Sequence, residues 1–189
     1  MRLFAALPFP VAVQNQIGSY CASLEEAFRP ARPSWVPPQN LHLTLHFFGE
    51  LEAEDAEKLK ILLSDLANLC PPLRITTEDL SMLPSMNRPR VLYLATHIEP
   101  FEPLTILINR IREIAIQLGA ETDARPWKAH LTLARLKLPI APELSSLPRP
   151  PKLSLSIDSF ELLRSTLSPS GAVYSRISRF ALYTGTSTL

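Results

Sequence analysis

The tetrapeptide His42-Leu43-Thr44-Leu45 returns 88 residues later as His130-Leu131-Thr132-Leu133. Given the abundance of Leu and Thr, Leu-Thr-Leu follows a given His by chance with a probability of roughly 0.002, so composition does not produce the pair. The repeat constrains the fold more than any other feature, because it requires a similar segment in each half of the chain. Each copy lies in an apolar run that reads as a β-strand, in which successive side chains alternate between faces. Both Leu residues of a copy then anchor one face in a core. His and Thr share the other face, about 7 Å apart along the strand. By the same alternation His46 joins His42 and Thr44, but at about 13 Å from His42 it is too far away to share a metal ion with it.

Around the repeat, the 19 prolines gather in clusters that separate periodic segments. Strand patterns occupy 2–7, 41–48, 73–81, 91–96, 130–136, 152–162 and 173–183. Helical spacing links Ile17, Tyr20, Leu24 and Phe28, then Ala56, Leu59, Leu62, Leu66 and Leu69 behind the acidic turn Glu54-Asp55. It appears again from Leu104 to Leu118, with Gly119 as the C-cap. This order predicts an α+β fold, mostly antiparallel sheet packed under two long helices, and 189 residues suit one domain.

Several function classes fall away on composition. The five glycines are too scattered for the phosphate loop of a P-loop or Rossmann protein. A net charge of +1 excludes a bulk electrostatic coat on nucleic acid, so a phosphate-bearing partner must be met locally. Cys21 and Cys70 form no CxxC pair, which predicts neither a disulfide framework nor a zinc knuckle and fits a reducing cytoplasm. Leu3–Leu7 reads as an opening core strand and not as a signal peptide, and no apolar run reaches the roughly 18 residues of a membrane span. A soluble, cytoplasmic monomer is the expectation.

A single His-x-Thr in a strand is ordinarily surface decoration; its duplication points to chemistry. In-line displacement at phosphorus needs a base at the attacking oxygen and an acid at the leaving oxygen, and two imidazoles fill both roles near neutral pH. Hydroxyls such as Thr44 and Thr132 donate to the non-bridging oxygens, and a guanidinium neutralises them. Arg135 is the nearest guanidinium, in a stretch made basic by Arg125, Lys128 and Lys137. His97 reads as a surface-loop residue. Trp35 and Trp127, each shortly before a motif, read either as core packing or as base-stacking rings. No HExxH motif or close His/Asp cluster suggests a metallohydrolase, so neither a metal nor a cofactor is expected.

Taken with their flanks, these segments resemble the two-histidine phosphoesterases, and within them the bacterial and archaeal RNA 2′,3′-cyclic phosphodiesterases, long called 2′-5′ RNA ligases. The resemblance rests on Arg2-Leu3-Phe4-Ala5-Ala6, Trp35-Val36, Asn40 to Leu45, Phe47, Gly49-Glu50, Arg90 to Leu94, His130 to Arg135, and Phe160 to Leu163 with Ser165, Leu167, Gly171 and Tyr174. It implies a bilobed fold over residues 1–189. Two pseudo-symmetric lobes with outer helices would flank a central cleft, the first carrying 42–45 and the second 130–133. It also implies metal-independent opening of 2′,3′-cyclic phosphates to 2′-phosphates, on RNA ends, tRNA fragments among them, or on cyclic nucleotides. His42 would be the proton donor to O3′ and His130 the proton acceptor from water, with Thr44, Thr132 and Arg135 holding the phosphate. With a 5′-hydroxyl RNA in place of water, the same site would form a 2′-5′ linkage without ATP. A non-catalytic module that binds RNA ends through the same cleft is the alternative. His46, Trp127 and Ala129 stand where the family commonly carries Arg or a small residue, Phe and Pro.

Overall fold

A computed structural model of the chain describes residues 1–120, 126–168 and 171–183. Among these the elements run β1 (Arg2–Pro8), α1 (Val11–Phe28), β2 (Pro33–Trp35), β3 (His42–Glu50), α2 (Ala53–Leu66), β4 (Leu73–Leu83), β5 (Val91–Glu99), α3 (Phe101–Gln117), β6 (His130–Leu136), β7 (Ser154–Ile157), β8 (Ser159–Ser168) and β9 (Gly171–Ala181). The fold is α+β. One sheet has the order β3-β1-β8-β9 and the other β2-β6-β5-β4-β7, with antiparallel pairing. The two copies of the repeat open equivalent strands: β3 lies beside β1, and β6 beside β5.

Leu43, Leu45, Leu131 and Leu133 are all at most 2% exposed and join one core shared by both sheets and the helices. Each such side chain contributes about 1.5–3 kcal/mol by leaving water, which fixes the face that His and Thr must present. Three helices cover this core. On α1 the buried stripe is Ile17, Tyr20, Cys21, Leu24 and Phe28. Its end leans on the second sheet, with Phe28 edge-on to Trp35 at 6.2 Å and the Tyr20 hydroxyl donating to the Pro148 carbonyl at 3.1 Å. The stripe of α3 runs from Leu104 to Ala115 and packs against α2 and β3 of the first sheet. Gly119, at φ +69°, ends α3 in the left-handed conformation that glycine adopts without strain. At Gly18 a side chain would bring Cβ within 2.9 Å of Pro38 Cγ. Its absence seats α1 close on the turn Pro38–Asn40 that leads into His42.

Some sequence expectations change. The 152–162 run is two strands in different sheets, β7 on β4 and β8 on β1, parted at Asp158. The apolar phase records the break: Leu153, Leu155 and Ile157 occupy odd positions, Phe160 and Leu162 even ones. Short β2 was not expected, and it pairs with β6 through Pro33, Ser34 and Trp35. His97 lies within β5 and not in a loop; it is exposed, opposite Thr76, with Nε2 3.2 Å from Glu99. The last strand begins at Gly171 and ends at Ala181. No described helix is long and apolar enough to cross a membrane.

Candidate active site

Both motif histidines are held in the same way. His42 Nδ1 lies 2.7 Å from the Asn40 carbonyl and His130 Nδ1 lies 2.7 Å from the Lys128 carbonyl, each two residues upstream. A carbonyl only accepts, so each Nδ1 carries a proton and donates it. In the neutral ring Nε2 then holds the lone pair. His42 Nε2 accepts from the Thr44 hydroxyl at 3.0 Å, as a ring and a hydroxyl two residues apart on one strand face can do. Each imidazole also has an edge-on tyrosine, Tyr174 at 5.3 Å from His42 and Tyr93 at 5.6 Å from His130. Phe4 supports His42 at 5.0 Å.

The two halves are tied at the motifs. Trp127 Nε1 donates to the Thr44 carbonyl at 2.9 Å, and Val36 N donates to the Leu133 carbonyl at 2.8 Å. Trp35 and Trp127 are half-buried and pack against the core, and Trp127 also spans from the approach to β6 onto β3. Asn40 has two functions, since its side chain donates to the Ala172 carbonyl at 2.7 Å and so pins the hairpin that carries Tyr174. Lys128 likewise acts twice. Its carbonyl orients His130, and its ammonium donates to the Tyr93 hydroxyl at 2.8 Å. Burial pushes the Tyr93 hydroxyl pKa up, but hydrogen bonds with Lys128 and Ser81, and the charge of Lys128, outweigh this and leave it lowered.

A β-bulge follows each motif at the equivalent residue. On β3, Thr44 pairs with Ala6 and His46 with Ala5, leaving Leu45 extra. On β6, Thr132 pairs with Tyr93 and Ala134 with Leu92, leaving Leu133 extra. A bulge shifts the side-chain phase by one residue. The site face therefore carries His42, Thr44 and Phe47 on β3, and His130, Thr132 and Arg135 on β6. Strict alternation would have turned Arg135 away and brought His46 in. The structure reverses both, so the expectation that His46 shares the face of His42 and Thr44 is corrected.

His46 instead sits edge-on to Phe48 at 5.0 Å, with Nε2 buried and unpartnered among the described residues. Desolvation, and then the nearby Arg112 charge, lower its pKa. Burial is also the largest influence on His42; the Asn40 hydrogen bond opposes it, charge on His130 reinforces it, and the net direction is down. For both groups the unfolded chain takes up the proton first, near pH 6.5. Stability is thus lost as the pH falls through that value toward the lowered folded pKa. His46→Leu is expected to raise stability by about 1 kcal/mol near pH 7 and to flatten the loss toward pH 5, read by urea unfolding at both pH values.

Phe47 is 57% exposed beside Phe4, ring centroids 5.6 Å apart. Arg135 is exposed and makes no hydrogen bond or ion pair among the described residues. Thr132 faces Tyr93 across the ladder. Arg125 lies outside the described residues. No three described His, Cys, Asp or Glu side chains group to hold a metal ion. Surface hollows of about 630 and 470 Å³ lie elsewhere, one around Arg74 and Phe101 and one around Glu25 and Trp35. What the site face offers is two imidazoles held through Nδ1, two threonines, one guanidinium free of described partners and one exposed aromatic ring. Phe47, Tyr93 and Tyr174 were missed as site residues by sequence reasoning; for Phe47 the available signal was its position five residues after His42, matching Arg135 after His130.

Comparison with known proteins finds relatives over nearly the whole chain. Residues 7–93 match the LigT-like phosphoesterase family. The chain is 34% identical to an RNA 2′,3′-cyclic phosphodiesterase of Thermus thermophilus, covering 96% of this chain and 90% of that one. It is 31% identical to the Escherichia coli protein of the same name, with 96% of each covered. The crystal structure of E. coli LigT complexed with 3′-AMP superposes with a TM-score of 0.79 at 31% identity, over 96% of this chain and 97% of the other.

Proposed function

The chain belongs to the LigT-like phosphoesterases, and on that premise we propose that it opens 2′,3′-cyclic phosphates at RNA ends to 2′-phosphates. The observation that carries the reading is the pair of imidazoles on neighbouring sheets, each fixed through Nδ1 to a backbone carbonyl, which leaves Nε2 as the nitrogen for proton transfer. Residues 1–189 act as one domain whose two lobes contribute one motif each.

In this reaction a water oxygen bonds to phosphorus while the P–O3′ bond breaks. His130 takes the water proton at Nε2, and His42 delivers a proton to O3′. Thr44, Thr132 and Arg135 hold the non-bridging oxygens, where negative charge rests through the reaction. The lowered pKa of His42 in the free site is compatible with a donor role, because a bound phosphate diester brings the negative charge that favours the imidazolium. With a 5′-hydroxyl RNA replacing water as the nucleophile, the same displacement, in which P–O5′ forms as P–O3′ breaks, joins ends through a 2′-5′ linkage. Chemistry carried by side chains needs no divalent ion. The expected result is turnover of a 2′,3′-cyclic nucleotide in excess EDTA, with ³¹P NMR showing the 2′-phosphate alone. A 3′-phosphate product, or loss of the activity to EDTA, rejects the scheme; tight binding without turnover points instead to an RNA-end binding module.

Phe47 offers its open ring face to the nucleobase attached to the phosphate. Phe47→Ala is expected to raise KM for a cyclic mononucleotide roughly fivefold or more with kcat little changed, and Phe47→Trp to restore it. Steady-state kinetics on the three proteins checks this.

A further inference from the structure

The nearly neutral chain is charged very unevenly. Stretches 27–49, 80–98 and 124–142 contain no Asp or Glu, yet hold eight of the 19 Lys and Arg residues and all four histidines. The rest of the chain holds eleven cations against 18 carboxylates. The three acid-free stretches fold into β2 with β3, β5, and β6, the strands that make and adjoin the candidate active site.

Beyond Arg135 the structure draws more of these cations together. Leu136 N donates to the Arg90 carbonyl at 2.8 Å, Lys137 N to the Ala31 carbonyl at 3.1 Å, and Arg90 Nη1 to the Lys137 carbonyl at 3.1 Å. The chain segments bearing Arg32, Arg90, Arg135 and Lys137 thus meet at one end of the β2-β6-β5 array. Arg88 stands two residues before Arg90. All five side chains are exposed, and none has a carboxylate partner among the described residues. The strip ends at Arg29, which Glu26 neutralises at 2.7 Å. Five unpaired like charges repel one another and contribute nothing to the core, so their convergence calls for an anionic partner.

We propose that this strip binds the phosphodiester backbone of the single-stranded RNA segment leading into the cyclic end. The proposal rests on the reaction proposed above. Arg135 lies about 13 Å along β6 from His130, allowing for the bulge, so the strip beyond it is out of reach of a mononucleotide but within reach of a short oligonucleotide. A few cations along one edge match a few phosphates of a single chain. The enzyme then reads an RNA end and not merely a cyclic nucleotide.

The test compares kcat/KM for a decaribonucleotide ending in a 2′,3′-cyclic phosphate with that for the matching cyclic mononucleotide, as salt is raised. With three phosphates neutralised, a slope of about −0.7 per phosphate predicts a roughly twentyfold fall for the decamer over a fourfold salt increase, and little change for the mononucleotide. The decamer is expected to be favoured about tenfold or more at low salt. Lys137→Glu, and Arg90→Gln with Lys137→Gln, are expected to remove that preference while leaving mononucleotide turnover unchanged. Equal kcat/KM for the two substrates in the wild type, or a preference kept by both variants, overturns the proposal. Anisotropy of a fluorescein-labelled decamer reads the same strip without turnover. If neither substrate is opened, the reaction is wrong, and wild-type binding that weakens about fivefold or more in Lys137→Glu still supports the strip, whereas unchanged binding rejects it.

Discussion

Replacing His130 with alanine is expected to lower kcat for a 2′,3′-cyclic nucleotide by about 10³-fold, and His42→Ala by a similar factor, within the range of about 10²–10⁴ for a positioned acid or base. Both rings act in the same displacement, so the double variant should fall far short of the product of the single losses. Folding is not at stake for His130, whose ring makes one backbone hydrogen bond and an edge contact with Tyr93 at the surface of β6. The pH dependence separates the two roles. In the wild type kcat/KM should be bell-shaped, with apparent pKa values that belong to the coupled pair. In His130→Ala only the His42 limb survives, and a residual rate that falls as the pH rises marks His42 as the proton donor. A residual rate that instead rises with pH exchanges the two roles, and a kcat within threefold of wild type removes His130 from the chemistry.

The repeat made the site legible because strand alternation is short-ranged. Two Leu residues per copy define the buried face, and their burial leaves His and Thr no other direction. Gly119 was legible for the same reason, since a left-handed helix end is a local demand. What alternation does not encode is a bulge. Nothing in His42 to Phe48 announces that Leu45 is unpaired; that is set by the register against Ala5 and Ala6 on another strand. The error over His46 and the oversight of Phe47 share this origin. The fused 152–162 strand has a related cause, because Asp158 changes sheets without a Gly or Pro to mark it. In the sequence only its charge marks Arg135. It reaches the site face only because Leu133 repeats the bulge, a long-range feature invisible in the tetrapeptide. The tyrosines belong to the same class: Tyr93 and Tyr174 come from strands distant in sequence and meet the imidazoles only in the folded sheets.

That bulge makes Arg135 the most exacting test of the site. Arg135→Gln is expected to lower kcat/KM by about 10²–10³-fold, the cost of removing one preorganised donor to a charged oxygen. Arg135 lies opposite Val91 on one neighbour and Ser34 on the other, so its base is fixed by pairing on both sides while its guanidinium stays free of described partners. A free fork on a fixed strand meets phosphate oxygens without first breaking an ion pair. Arg135→Lys keeps the charge but not the bidentate geometry, and should recover only part of the loss. A salt bridge serving stability would show the reverse pattern, a lower Tm with near-normal kcat/KM, whereas this residue should leave Tm unchanged because it buries nothing. Phe47 supplies the internal control. It occupies the equivalent post-bulge position on β3 but carries no charge, so its removal should act on KM for the base-bearing substrate and leave the phosphate chemistry intact. If Arg135→Gln keeps kcat/KM within threefold of wild type, the phosphate is held elsewhere and the equivalence of the two post-bulge positions has no functional meaning.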